Sequence, residues 1–233
     1  MHIQTFLAKS GVYSRRETAR LIDDHRVTIN GIVCSRQSIV SDSDTVHVDS
    51  LPVPDPAERV YLAFHKPEGI TCTAQQSVEG NLNDFLKWES RIFSVGRLDK
   101  ASTGLLILTN DGSIVNPLMK EEEAKEKEYI IETSRPVSET MIKKMCEGGL
   151  LIKGKKASPA LAEKTGDVTF RIILKQGLNR QIRRMCRAFD NHVVSLKRIR
   201  ISHIQLHTLE PGEWRHLTEE EIRQLKYEML DKS

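Results

Sequence analysis

Four arginines between residues 180 and 187 have the spacing of this chain that most clearly indicates chemistry. Residues 176–189 read Gln-Gly-Leu-Asn-Arg-Gln-Ile-Arg-Arg-Met-Cys-Arg-Ala-Phe. On a helix, positions i, i+3, i+4 and i+7 share a face, and the pattern predicts a helix with Asn179 as its N-cap. One face of that helix is apolar and suits a core, and the other carries Arg180, Arg183, Arg184 and Arg187.

The charge around these arginines is strongly one-sided. Residues 171–200 contain nine basic residues and one acid, Asp190, for a formal charge of +8. An ordinary solvated surface is one explanation, but such a surface usually mixes signs, and the helix dipole disfavours cations in a first turn. These observations favour a polyanionic partner, and nucleic acid is the natural one.

A single carboxylate stands out in the polar loop 96–103. Asp99 lies between Arg97 and Lys100, and strand-like segments flank the loop. Neighbouring cations favour an ionised carboxylate, which suits a nucleophile or a base. A tight loop in which Asp99 caps a backbone N–H is the alternative, and the residues of this loop alone favour it.

The elements that must position these residues begin with a small N-terminal unit. Apolar spacing in residues 3–11 predicts a short helix. Ser14 followed by Glu17 forms a capping box, which predicts a second helix to about residue 24. The Asn-Gly pair at residues 30–31 lies between β-forming residues and predicts a hairpin.

A proline-rich segment predicts where this unit ends. Residues 49–58 contain three prolines and no periodic pattern, which is typical of a linker. We therefore predict domains at 1–48 and 59–233, joined by 49–58. The second domain mixes strand and helix signals without βαβ alternation, so the predicted class is α+β with a largely antiparallel sheet.

Composition excludes several classes of protein. No apolar run approaches the ~18 residues of a membrane helix, and the N-terminus does not resemble a signal peptide. Four scattered cysteines without a CxxC pair fit a reducing cytoplasm. The eight histidines lack metal spacing, and no phosphate-binding or dinucleotide motif occurs, so we expect neither metal nor cofactor.

Several segments together resemble RNA pseudouridine synthases of the RsuA type. Gly96–Gly112 is similar to the catalytic motif, Lys127-Glu128-Tyr129 to the lysine-x-tyrosine segment, and Leu178–Met185 to the third motif. Phe64–Gly69 resembles the entry strand and turn of the catalytic domain, and residues 1–48 resemble the alpha-L RNA-binding domain that precedes it. Within the family the likeness is greatest to the F branch, which modifies large-subunit (23S) ribosomal RNA.

The resemblance implies a reaction and a set of site residues. The N1–C1′ bond of a uridine breaks, the base turns, and it rejoins through C5. Asp99 is implied as the catalytic carboxylate, which either attacks the sugar or removes a sugar proton; Tyr129 stacks on the uracil, and Arg183 pairs with Asp99. Leu105 and Ile182 are either apolar walls of the uracil site or core residues. The residues implied in RNA binding are Arg97, Lys127, Arg180, Gln181, Arg184, Arg187, Lys197, Arg198 and Arg200, together with Arg15, Arg16 and Arg20 of the small domain.

The predicted function is therefore isomerisation of a specific uridine, in large-subunit ribosomal RNA. Small-subunit or transfer RNA remains an alternative target, because phosphate contacts carry no sequence information. A non-catalytic ribosome-assembly factor is a third reading, but it would not need Asp99, Tyr129 and Arg183 together. We expect a cytoplasmic monomer that does not contact membranes.

Overall fold

The chain folds into two structural units. The computed structural model describes residues 1–55, 57–73, 78–88, 91–119 and 125–230. The first unit is Met1–Val60 with two short later segments, Trp88–Ile92 and Asn110–Gly112, and the second is the rest of the described chain from Tyr61 onwards. Among the described residues, no helix combines the length and apolarity needed to cross a bilayer.

Two helices open the first unit, α1 (Ile3–Lys9) and α2 (Arg15–Asp23). The backbone N–H of Glu17 donates to Ser14 Oγ at 3.0 Å, and the N–H of Ser14 donates to the Glu17 carboxylate at 3.2 Å. The capping box is thus confirmed, and it satisfies backbone donors that the first helical turn leaves free.

A four-stranded antiparallel sheet completes the first unit. Its order is β2-β1-β3-β4, formed by β1 (Val27–Ile29), β2 (Ile32–Val33), β3 (Val46–Val48) and β4 (Leu51–Pro52). Asn30 and Gly31 have φ of 52° and 81°, as a two-residue hairpin turn requires. The predicted hairpin is therefore confirmed.

The segment predicted as a linker contributes to this sheet. Strand β4 lies inside residues 49–58 and pairs with β3, so ordered structure extends beyond residue 48. Pro56 lies outside the described residues. The proposed domain boundaries stay a prediction.

The second unit is built on a mixed sheet. Its central strands run in the order β11-β12-β8-β13-β7-β5-β15, while β14 pairs with β13, β6 pairs with β7, and β9 and β10 form a separate pair. The strands are β5 (Tyr61–Lys66), β6 (Phe93–Val95), β7 (Thr103–Thr109), β8 (Lys127–Thr133), β9 (Leu151–Ile152), β10 (Lys155–Lys156), β11 (Leu161–Lys164), β12 (Thr169–Leu174), β13 (Val193–Ile201), β14 (Ile204–Gln205) and β15 (Trp214–His216).

Helices and one tight turn flank this sheet. They are α3 (Leu82–Leu86), a 3₁₀ turn (Gly112–Ile114), α4 (Val115–Met119), α5 (Glu139–Glu147), α6 (Gln181–Arg187) and α7 (Glu219–Leu230). Ser138 caps α5, because its side chain accepts a hydrogen bond from the N–H of Met141 at 3.2 Å.

The second unit contains two apolar cores. One joins α5 and α6 to β8, β12 and β13, and the other joins α4 and α7 to β5 and β7. Strands β7 and β13, which link these two parts of the sheet, run parallel over only two residue pairs, Lys197 with Thr103 and Arg198 with Gly104. Every other strand pair described in this sheet is antiparallel, so the predicted α+β class with a largely antiparallel sheet is confirmed.

Candidate active site

The loop that carries Asp99 connects β6 to β7, and a buried lysine donates hydrogen bonds to its backbone. Lys66 has no exposed surface, and its Nζ donates to the carbonyl oxygens of Ser102 at 2.7 Å, Pro67 at 2.8 Å and Lys100 at 3.4 Å. Burial lowers the pKa of Lys66. Two of these acceptors, Lys100 and Ser102, follow Asp99 in the loop, so the ammonium fixes the backbone of this part of the loop.

From the sequence, Lys66 is assigned no role of its own beyond its place in the segment Phe64–Gly69. In the structure β5 continues through Lys66, which pairs with Gly104 of β7. The sequence does contain a signal for this role, because Lys66 closely follows the apolar strand residues 60–64. A charged side chain at such a position needs several acceptors to be buried.

Gly104 allows β7 and β13 to approach closely behind the loop. Its φ is +107°, and an added Cβ would lie against the backbone oxygen of Arg198 and 2.5 Å from the backbone nitrogen of the same residue. Only glycine combines this backbone conformation with this contact. The glycine after Thr103 therefore sets the distance between the Asp99 loop and β13.

The arginine helix is shorter than predicted, and Asn179 is not its N-cap. Helix α6 begins at Gln181, and Arg180 occupies the N-cap position with φ 53° and ψ 37°. The side-chain oxygen of Gln181 accepts the N–H of Leu178 at 3.0 Å and closes the preceding turn. This local turn, rather than an asparagine cap, precedes the first residue of the helix.

Arg183 is fixed in the first turn of α6 and points to the Asp99 loop. It donates to the carbonyl oxygens of Ala101 at 2.6 Å and Val193 at 3.1 Å, and to Ser102 Oγ at 3.3 Å. Burial and the charge of Arg180 lower the pKa of Arg183, while Asp99 acts in the opposite direction. The carbonyl contacts offset the cost of burying this cation.

Asp99 faces two arginines. Its Oδ2 lies 3.5 Å from Arg180 Nη1 and 4.0 Å from Arg183 Nε. The Arg180 side chain is 47% exposed, whereas that of Arg183 is 13% exposed. An exposed pair contributes little to stability, so Arg183 is the better-fixed partner although its distance is longer.

A cavity of about 380 Å³ lies beside Asp99, within the size range of small-molecule sites. Asp99, Arg183 and Tyr129 all line it. Ile182 is one of its apolar walls, whereas Leu105 is fully buried in the core and does not line it. The structure thus brings the three predicted catalytic residues to one cavity, and their individual roles stay predictions.

The other predicted RNA-binding residues of this unit differ in their exposure. Arg97 is exposed at the cavity, whereas Lys127 and Arg198 line it but are buried, as is Gln181. Arg187 is exposed, Lys197 is half-buried, and Arg184 donates to Asn179 through Nε at 3.1 Å and Nη2 at 3.4 Å.

Arg200 is already paired. It contacts Glu128 at 2.7 Å and Glu126 at 3.3 Å, and Arg171 of the same charged segment pairs with Glu128 and Glu163. Carboxylates can offset such a charge as well as a polyanion can, and here three acids neutralise part of it: Glu128 of β8, Glu126 just before it and Glu163 of β11. The predicted phosphate contact of Arg200 would have to compete with two carboxylates.

In the first unit, Arg15, Arg16 and Arg20 are all exposed on α2. No ion pair to any of them occurs among the described residues of the chain. These three arginines form an open cationic face, and their contact with RNA stays a prediction.

The described residues contain no cluster of three or more histidine, cysteine, aspartate or glutamate side chains that could hold a metal ion. The side chains that line the cavity include a carboxylate, a phenol and several cations.

Comparisons with known proteins agree with this arrangement. Residues 60–188 match the family model described as RNA pseudouridylate synthase, and residues 1–46 match the S4 domain model. The dual-specificity RNA pseudouridine synthase RluF of Escherichia coli strain K12 is 37% identical, covering 100% of this chain and 80% of that protein. The ribosomal large subunit pseudouridine synthase B of Bacillus subtilis strain 168 is 33% identical, covering 96% and 95% of the two chains.

A solved structure supports the same assignment. The crystal structure of a pseudouridylate synthase has a TM-score of 0.72 and 29% identity, and it covers 97% of this chain and 99% of that one. The resemblance seen in the sequence motifs is confirmed over the full length of the chain. The chain belongs to the RNA pseudouridylate synthase family, whose members are isomerases.

Proposed function

We propose that this protein converts a specific uridine of large-subunit ribosomal RNA to pseudouridine in the cytoplasm, as a monomer. The observation that carries the proposal is the meeting of Asp99, Arg183 and Tyr129 at one cavity. The large-subunit target is supported by the relative from Bacillus subtilis whose name includes it.

The geometry supports a division of labour among the three residues. A uridine must leave its stack to enter the cavity, at a cost of a few kcal/mol. Tyr129 then packs on the uracil, while Asp99 acts at the sugar. Arg183, which backbone carbonyls hold in place, orients the carboxylate.

Anchoring of the RNA falls to the exposed cations. Arg97 and Arg187 in the second unit and the arginines of α2 in the first are open to solvent, and the half-buried Arg184 of α6 is a further proposed phosphate contact. Phosphate contacts from such side chains give affinity with little sequence information. Arg198 is buried in the cavity wall, so we remove it from the phosphate contacts.

Transfer RNA is the second candidate target. The Escherichia coli relative is named as a dual-specificity enzyme, so each RNA class needs its own measurement. The discriminating assay uses transcripts of 23S, 16S and transfer RNA labelled with tritium at uridine C5, because bond formation at C5 releases the label. Release from 23S transcripts alone is expected; release from another class reassigns the target.

The matched variants are Asp99→Asn and Asp167→Asn. Asp99→Asn should release no tritium while binding RNA nearly as well as the unchanged protein, because the cations remain. Asp167 is exposed, so its variant should keep full activity. Binding without tritium release by the unchanged protein would support the non-catalytic assembly factor instead.

A further inference from the structure

Two buried cations line the cavity without an anionic partner. Arg198 is 2% exposed and Lys127 is 8% exposed, and both side chains line the cavity beside Asp99. Neither forms an ion pair with any carboxylate in the part of the chain that the structure describes. Asp99 is paired elsewhere, with Arg180 and Arg183.

The sheet explains why these two side chains share a face. Lys127 and Tyr129 are two residues apart on β8, so their side chains lie on the same side of the sheet. The pairing of β13 with β8 shifts register between Arg198 and Arg200. The irregularity lets both Arg198 and Ile201 line the cavity, whereas Arg200 faces the opposite side and meets its glutamates there. A bulge that redirects side chains next to an active site is a recurring device.

Hydrogen-bonding capacity at this pair is incompletely used. Arg198 Nε donates to the carbonyl oxygen of Leu105 at 2.8 Å, but its buried Nη2 has no hydrogen-bond partner. Lys127 Nζ donates to the carbonyl oxygen of Lys125 at 3.0 Å, which occupies one of its three donors. Buried donors left unpaired are costly, and the cost is recovered when an acceptor arrives.

We propose that Lys127 and Arg198 form a donor pair that binds a carbonyl oxygen of the extruded uracil and stabilises the negative charge on the detached base. This inference rests on the proposed function, because uridine is taken as the substrate. When the N1–C1′ bond breaks, its electron pair stays with the ring and spreads from N1 onto the carbonyl oxygens. Preorganised donors stabilise such charge strongly in a site that excludes water.

The second half of the reaction returns the charge. C5 bonds to C1′, the proton leaves C5, and N1 gains a proton, so the product is an isomer and no atom is exchanged overall. Lys127 and Arg198 keep both of their charges throughout. Besides stabilising the charge, these two donors keep hold of the detached ring while it turns, because they are fixed in the cavity wall.

The test combines a protein change with a substrate change. Single-turnover tritium release is measured for the unchanged protein, Lys127→Met and the control Lys164→Met, on RNA containing uridine, 2-thiouridine or 4-thiouridine. Sulfur accepts hydrogen bonds poorly. We expect Lys127→Met to be about 100-fold slower on normal RNA, with RNA affinity unchanged, and Lys164→Met to match the unchanged protein.

The thio substitutions identify the contact. One of the two should slow the unchanged protein and cause no additional slowing in Lys127→Met, because the interaction is already lost. A thio effect of equal size in both proteins, no thio effect in the unchanged protein, or full activity of Lys127→Met would each overturn the inference.

If no RNA is isomerised, binding of free uracil to the protein tests the proposed contact separately. Lysine ¹³C NMR follows the titration of Lys127, which a bound acceptor oxygen should move to higher pH. Such a shift without isomerisation of any RNA means that the proposed function fails and the uracil contact stands. No shift means that the inference fails as well.

Discussion

Replacing Lys127 by methionine removes a buried charge that lowers the stability of the folded protein. Burial, followed by repulsion from Arg198, lowers the pKa of Lys127 from 10.5 to about 8. One pKa unit corresponds to about 1.4 kcal/mol, so the charged ammonium destabilises the folded protein by about 3 kcal/mol at pH 7. Between pH 8 and 10.5 the unfolded chain holds a proton that the folded protein has lost, so the stability of the unchanged protein rises with pH.

The net effect of the substitution follows from two contributions. Lys127→Met also removes the hydrogen bond to the Lys125 carbonyl, which contributes about 1 kcal/mol at every pH. We therefore expect the variant to be more stable than the unchanged protein by about 2 kcal/mol at pH 7 and less stable by about 1 kcal/mol above pH 10.5. The same substitution slows isomerisation, so stability and activity should move in opposite directions.

Urea unfolding from pH 7 to pH 10 measures this difference. Trp214 fluorescence in a Trp88→Phe background reports on the unit that contains Lys127. Subtracting the unfolding free energy of the unchanged protein from that of Lys127→Met cancels the contributions of the other titrating groups. The control Lys164→Met loses only a surface pair with Asp167 at 3.8 Å, so its difference from the unchanged protein should not change with pH. Curves for Lys127→Met and the unchanged protein that run parallel would refute the reasoning.

Three further substitutions test the rest of the arrangement. Gly104→Ala should cost more than about 3 kcal/mol in urea unfolding and abolish tritium release, because the new Cβ meets the Arg198 backbone at positive φ; unchanged stability would contradict the close approach of β7 and β13. Arg184→Ala should weaken RNA binding and reduce its salt slope by about one, while Arg223→Ala, whose side chain pairs with Glu220 on α7, should not. Equal slopes for the two arginine variants would remove Arg184 from the phosphate contacts. Asp99→Asn should separate catalysis from binding, as the tritium assay measures.

Local signals in the sequence were sufficient for much of the fold. The capping box at Ser14 and the Asn-Gly turn at residues 30–31 both form as predicted, because each depends on residues within one turn of the chain. The loop around Asp99 and the cationic segment near residue 180 were likewise visible, since residue type and spacing alone define them.

The sequence alone thus determined the local elements, the mixed α+β class and the residues able to do chemistry, whereas their partners were decided only by the tertiary structure. Arg198 and Arg200 are two residues apart, yet a bulge places one in the cavity and the other against glutamates of β8. Lys66 is buried because a loop distant in the chain supplies carbonyl acceptors. Burial, ion pairing and pKa depend on contacts between residues far apart in the chain. The residue pattern within one segment does not predict which strand will pair with it.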